Sequence, residues 1–331
     1  MNPKWTQYLE ENAPDTGAAR AECAFSALDE GLIRVTGEDA RDFLQGQLTN
    51  DIRRLTPEQA QLNGYCTPKG RMLALFLVFE RDGALYLQLP RERVEPVMKR
   101  LQMFVLRSKV ELADASDELV MAGVTGACCA ELFPALPDEP FACRQPESLT
   151  LIRMPGEPAR VQLAGDVDSM IAFHQAAADR LERVNDDFWP LQNIRAGLPS
   201  VHDATTEAFV PQMCNLDLLG GVSFTKGCYT GQEVVARMRY LGQLKRRMYL
   251  ARIDPGTCPA PGDALFSPSS RSAQGAGRVV AARPSPEGGC EALVVAEIAA
   301  FEAADLRLGD ENGPPLELRE PPYGLASVKE Q

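Results

Sequence analysis

The chain has 331 residues, 45% of them hydrophobic and 24% charged, with a formal net charge of −12 at pH 7. That length exceeds one ordinary core and predicts two or three packed units, with the residue balance of a globular protein. The acidic surplus argues against non-specific nucleic-acid binding by the molecule as a whole, while leaving room for a local basic patch.

The nine cysteines are odd in number, none has C-x-x-C spacing, and a chain this long needs no staples. They therefore read as unpaired thiols of a reducing cytoplasm. No run approaches the roughly 18 apolar residues of a membrane span. The first residues carry no apolar core behind their charge, so no signal peptide is expected. The expectation is a cytoplasmic protein without membrane contact.

In chain order, residues 1–20 are polar and poorly patterned and predict a loose or late-docking start. Residues 32–35 read as a short strand, and Gly37-Glu-Asp39 caps a helix with Ala40, Phe43, Leu44 and Leu48 on one face. Asn63-Gly64 and Pro68-Lys-Gly70 mark turns before a strand at 73–79, which pairs with 84–89 around Asp82-Gly83. Val94, Val97, Met98, Leu101 and Phe104 form a second amphipathic helix, and 109–113 returns as a strand. A second group follows, with strands at 119–124, 149–154 and 160–164 and a helix over 167–183 that holds His174 as a satisfied, half-buried side chain. The similar order of the two groups hints at an internal duplication, although no repeat is visible in the sequence. From about Lys245 helical periodicity disappears. Short strands at 248–253, 264–266, 278–281, 293–298, 305–308 and 316–319 alternate with Pro/Gly clusters, the texture of a small barrel or sandwich, and the last dozen residues are expected to fray.

The most informative stretch is residues 224–242. Thr230 and Glu233 have capping-box spacing and predict a helix starting just after Thr230, with Val234, Val235, Met238 and Leu241 as its buried stripe. Glu233 and Arg237 are spaced to pair on its exposed side, and Gly242 is a natural stop. Cys228 then lies just ahead of the positive end of the helix dipole, two residues from Lys226, and both features favour the thiolate. Gly227 lets the backbone turn sharply or approach a ligand. A free cysteine is commonly a small buried hydrophobe, and the other eight are read that way. For Cys228 the residues alone leave core and function both open.

Between Lys226 and Arg247 six basic residues face Glu233 alone, a local surplus of five in a chain of −12. Such a concentration suits an anionic ligand, such as the carboxylates of a folate tail, or a short stretch of RNA backbone. No phosphate loop or H-E-x-x-H motif occurs, and Gly275-Ala-Gly277, among short strands, reads as a hairpin turn. The only histidines are His174 and His202, and nothing in the sequence brings either to Cys228.

Phe224-Thr-Lys-Gly-Cys-Tyr-Thr-Gly-Gln-Glu233 is very similar to the signature of the YgfZ family, folate-binding proteins related to the glycine cleavage system T-protein. Ile194-Arg-Ala-Gly-Leu-Pro199, Phe209-Val-Pro-Gln212, Asn215-Leu-Asp-Leu-Leu-Gly-Gly221, and Gly37-Glu-Asp-Ala40 with Phe43-Leu-Gln45 and Asn50-Asp51 resemble it too. The resemblance spans most of residues 30–250. It implies an α+β, aminomethyltransferase-like fold of α/β units around a central folate pocket, with a C-terminal β-barrel. The expected division is a folate-binding region over 1–245, with a middle subdomain at roughly 114–186, and a barrel over 246–331. It further implies tetrahydrofolate as ligand and a role in maintaining iron–sulfur enzymes, among them a tRNA methylthiolase. Lys226 and Cys228 become the functional pair, and Arg195, Tyr229, Gln232, Glu233, Arg237, Asn50 and Asp51 become candidates for the cofactor.

One departure concerns catalysis. T-protein-like aminomethyltransferases carry an acidic pair where this chain has Ala74 and Leu75, in a run from Lys69 to Leu75 without carboxylates. Neither Ala nor Leu replaces a general acid or base, so aminomethyl transfer is not expected. The family's pterin-binding acid is also missing, with Arg195 close to its place. Two other readings stand beside the accessory role: a one-carbon transferase or demethylase using another acid such as Asp51 or Asp217, and a tRNA-binding module built on the basic segment.

Overall fold

The structure is a computed structural model that describes residues 2–14, 22–240, 244–254, 256, 258–272 and 275–325. The chain divides into two compact units. One comprises Met1–Leu44, Ile52–Gln61 and Phe76–Trp189, and the other Gln45–Asp51, Leu62–Leu75 and Pro190–Gln331. Helices and sheets are mixed throughout, the expected α+β composition. Among the described residues no helix is long and apolar enough to cross a membrane.

In the first unit a six-stranded sheet runs in the order Glu182–Arg183, Cys23–Leu28, Val120–Gly126, Arg160–Gly165, Leu149–Met154, Cys143–Arg144. Strand alternation sends Val161, Leu163, Ala122 and Val124 into a core shared with Phe25, Trp5 and Met170. A second sheet contains Glu30–Thr36, Met72–Arg81, Ala84–Pro90 and Glu111–Asp114. Asp82 and Gly83, at φ 51° and 76°, make the tight turn read from the sequence.

Two expectations fail in this unit. Residues 3–11 are not loose: Pro3–Glu11 is a helix whose Asn2 side chain accepts from the amides of Lys4 and Trp5. Trp5, Tyr8 and Leu9, at helical spacing, are its buried anchors. The helix from Val167 ends at Ala176 rather than 183, because Glu182 and Arg183 leave to pair in parallel with Ala24 and Phe25. The helix Ala40–Gln47 does begin after Gly37-Glu-Asp39, with Asp39 O accepting from Phe43 N at 2.8 Å, while the Asp39 carboxylate accepts from the amide of Lys109 at 2.7 Å.

The second unit holds the C-terminal sheet, ordered Arg307–Leu308, Ala264–Phe266, Gly277–Pro284, Cys290–Glu297, Arg246–Ile253, Leu316–Arg319. The ends of its two edge strands meet through flanking residues, Leu308 N bonding Pro314 O at 3.0 Å and Leu316 N bonding Leu306 O at 3.0 Å. The sheet therefore closes into the expected barrel, around Tyr249, Val279, Ala292 and Val294. A short helix, Ile298–Ala303, replaces the end of the strand read at 293–298. The tail does not fray before residue 325, since the Tyr323 hydroxyl donates to Gly197 O at 3.0 Å. Residues 326–331 lie outside the described residues.

The cysteine reading is corrected too. Cys23 pairs with Cys128 and Cys258 with Cys290, with Cα separations of 5.8 and 5.5 Å. Partners 105 and 32 residues apart leave no spacing signal in a sequence. Cys129 points away from Cys128 and donates to Val124 O at 3.5 Å.

Candidate functional site

The site is built in the second unit, from a loop at 48–51, the strand Gln61–Cys66 and the segment from Ser223 into the helix Gln232–Tyr240. Asn63-Gly64 lies within a strand, not in a turn. The Gly64 amide donates to Thr49 Oγ1 at 2.7 Å, and a Cβ on Gly64 would meet that side chain at 3.2 Å. The glycine is there for close approach. Asn63 Oδ1 accepts from the Asn50 amide at 3.0 Å. The Asn50 side chain donates to Leu62 O at 3.0 Å and Gly220 O at 2.7 Å, and its oxygen accepts from the Asp51 amide at 2.9 Å. Asp51 in turn accepts from Gln45 at 2.9 Å.

This braced loop turns the carbonyls of Leu48 and Asn50 onto one point, and the Lys226 ammonium occupies it, donating to each at 2.7 Å. Lys226 is only 8% exposed. Its charge also lies 5.1 Å from the centre of the Tyr229 ring, so carbonyl dipoles and a ring face replace water around a buried cation. Burial, with the Cys66 thiol nearby, raises the Tyr229 hydroxyl far above its ordinary pKa. The Lys226 ammonium is thus directed into the scaffold.

Cys228 is the one exposed thiol among the five cysteines outside disulfides. The helix behind it starts one residue later than expected. Val235 N bonds Gly231 O at 3.3 Å, which makes Gly231, not Thr230, the cap. Gly231 has φ +85°, and a Cβ there would meet Thr67 O at 2.4 Å. Gly227 needs no such freedom, since nothing lies within 4 Å of where its Cβ would be. It leaves open space beside the thiol. Val235 is fully buried and Val234 and Met238 half-buried, while Leu241 and Gly242 lie outside the described residues. Gln232 is half-buried at the helix start, and Glu233 and Arg237 are exposed.

The basic segment is less positive than its composition. Arg247 is clasped by Asp217 at 2.7 and 3.0 Å, and Arg246 reaches Glu297 at 3.3 Å. With Lys226 buried, the exposed cations without an ion pair among the described residues are Arg237, Arg239 and Lys245. Arg195 is held elsewhere, bidentate to Glu291 on a barrel strand at 2.9 and 2.5 Å. Burial alone would raise the Glu291 carboxyl, but bonds from Arg195 and Ser285 outweigh it and hold it below its ordinary value. Ala74 and Leu75 are buried in the strand Met72–Arg81.

The structure therefore brings Lys226, Tyr229, Asn50 and Asp51 together as scaffold, sets Cys228, Gln232 and Glu233 at an accessible helix entrance with Arg237 exposed in the last turn of the same helix, and ties Arg195 to the barrel. Sequence reasoning gave no role to Gln212, which donates to Val235 O at 2.6 Å from inside the core, although it belongs to one of the quoted motifs. The carbonyls of Leu48 and Asn50 were invisible to it, since main-chain acceptors carry no residue signature.

A relative from Klebsiella pneumoniae (strain 342), a tRNA-modifying protein YgfZ, is 34% identical over 317 residues, covering 94% of this chain and 96% of its own. The chain belongs to the YgfZ family. A second YgfZ, from Escherichia coli O45:K1 (strain S88 / ExPEC), is 33% identical over 273 residues, or 81% of this chain and 83% of that one. No family model matches the chain. Among solved structures, glycine cleavage system aminomethyltransferase T from Bartonella henselae covers 98% of both chains with a TM-score of 0.72 at 13% identity. The YgfZ chain described here thus has the aminomethyltransferase T fold, as its signature led one to expect.

Proposed function

We propose that this protein is a tetrahydrofolate-binding cytoplasmic accessory of tRNA modification that sustains iron–sulfur enzymes such as a tRNA methylthiolase, with Cys228 as its working thiol. The observation that carries the reading is the exposure of Cys228 on a segment whose neighbour Lys226 is locked into the scaffold. Relatives named for tRNA modification support the substrate side. The fold shared with an aminomethyltransferase supports the folate side.

The residues fit a folate's anionic end. Arg237 is exposed without an ion pair among the described residues, a ready donor for a tail carboxylate. Gln232 and Glu233 stand at the start of the same helix and would meet the ligand's polar groups. Asn50, Asp51 and Tyr229 act by shaping the scaffold behind them. When bound, the folate supplies a carrier for one-carbon units.

Turnover by aminomethyl transfer is disfavoured on two grounds. Ala74 and Leu75 offer no carboxylate, and Asp217, the alternative acid, is clasped by Arg247. Both of its carboxylate oxygens are engaged by that guanidinium, so it is turned into the scaffold and not toward a substrate. The test compares Cys228→Ala and Lys226→Ala in a strain lacking the native protein, scored by tRNA methylthiolation, alongside calorimetric titration with tetrahydrofolate. Loss of methylthiolation in Cys228→Ala and measurable folate binding are expected. Full restoration by both variants, or no binding heat and no competition, rejects the reading.

A further inference from the structure

At the far end of the helix Gln232–Tyr240 the structure holds a group that the proposed function does not use. The Arg239 guanidinium lies 4.1 Å from the centre of the Phe224 ring and 5.8 Å from that of Tyr240. The two rings stand 6.4 Å apart at 79°, edge to face. Tyr240 is 65% exposed and Arg239 is exposed, with no carboxylate paired to it among the described residues. A large aromatic ring left in water forgoes the stabilisation that burial would give it. A guanidinium lying on a ring keeps its in-plane N–H donors available while its planar face is already ordered.

We propose that Phe224, Arg239 and Tyr240 form a stacking platform for an unpaired nucleobase of RNA, with Arg237, Arg239 and Lys245 taking the adjoining phosphates. Every base has a π-face, so stacking on Tyr240 and on the Arg239 plane is tolerant of sequence. Ordering of the three groups before binding reduces the conformational cost of association. Arg237, Arg239 and Lys245 make a local positive cluster in an otherwise acidic chain, which favours the approach of a polyanion to this segment. An acidic protein surface could satisfy the charges, but it leaves the ordered planar faces without a planar partner.

The platform rests on the reading of this chain as an accessory of tRNA modification and names what it would touch there. The test titrates the full chain into a short single-stranded RNA carrying one 2-aminopurine, whose fluorescence falls on stacking. Saturable quenching is expected. Tyr240→Ala and Arg239→Ala should each weaken it between about fivefold and a hundredfold without changing the melting temperature, and Tyr240→Phe should retain it. The proposal is overturned if Tyr240→Ala binds as the unaltered protein does, if a fully paired duplex of equal length binds as tightly, or if poly-glutamate competes as well as RNA of equal charge. Folate titration and methylthiolation by Cys228→Ala do not involve Tyr240, so failure of the platform and failure of the accessory reading give different results.

Discussion

A buried ammonium and an exposed thiol two residues apart have opposite tasks. Lys226 satisfies two main-chain carbonyls, one buried and one partly buried, and an orphaned buried acceptor costs about 1–3 kcal/mol. Lys226→Ala should therefore lower the unfolding free energy by about that amount in urea titration, whereas Cys228→Ala, at a solvent-facing site, should stay within about 0.5 kcal/mol. Equal stability of the two variants would remove the scaffold role of the ammonium. The thiols divide in the same way. Burial pushes Cys66 and Cys143 up to about 12, so both stay protonated and shielded near neutral pH. Brief alkylation of the folded protein, followed by peptide mapping, should mark Cys228 first among its free cysteines. Even labelling across all five would sink the functional assignment.

At the scale of elements, Gly231 is the hinge on which the motif turns into its helix. A side chain there meets both an unfavourable φ of +85° and the Thr67 carbonyl. Gly231→Ala is expected to cost more than about 1 kcal/mol, and Gly227→Ala, with open space around it, to be nearly neutral. Matching urea midpoints for the two would contradict the geometry. The first helix gives a pH prediction. His174 Nδ1 lies 2.6 Å from the Tyr8 hydroxyl. Burial, helped by the charge of Arg183, lowers the His174 pKa. The folded state therefore holds the ring neutral while the unfolded state takes up a proton below about 6.5. This contribution is complete above that value and is lost as pH falls from there toward the lower folded pKa. The urea midpoint should drop between about pH 7.5 and pH 5, and less steeply in His174→Phe; parallel profiles would reject the linkage. Element by element, short runs bounded by turn residues, such as Leu149–Met154 and Leu316–Arg319, were legible to the residue. What escaped was decided by tertiary partners. Trp5, Tyr8 and Leu9 make a helix of a polar segment, Thr49 makes a strand position of Asn63-Gly64, and folding alone joins Cys23 to Cys128. At the site, the motif announced Cys228 and Lys226, but only packing could show that the ammonium faces inward and the thiol outward.

Over the whole molecule, charge decides how any polyanion is met. Composition places six cations between Lys226 and Arg247. Folding removes three of them, Lys226 to carbonyls, Arg246 to Glu297 and Arg247 to Asp217. Single-stranded nucleic acid releases counterions in proportion to the phosphates neutralised, with a slope of log K against log salt of about −0.7 per contact. Three available cations give a slope of about −2, and six would give about −4. Binding of the short RNA measured from about 50 to 200 mM salt should thus weaken by little more than tenfold. The residual affinity at the upper end should come from stacking, which salt does not screen. Since the remaining surface of a −12 chain repels phosphate, no diffuse second mode should appear at low salt. A slope near about −3.5 would mean that the Arg246 and Arg247 ion pairs open on binding, and that the affinity is set by charge rather than by the planar groups.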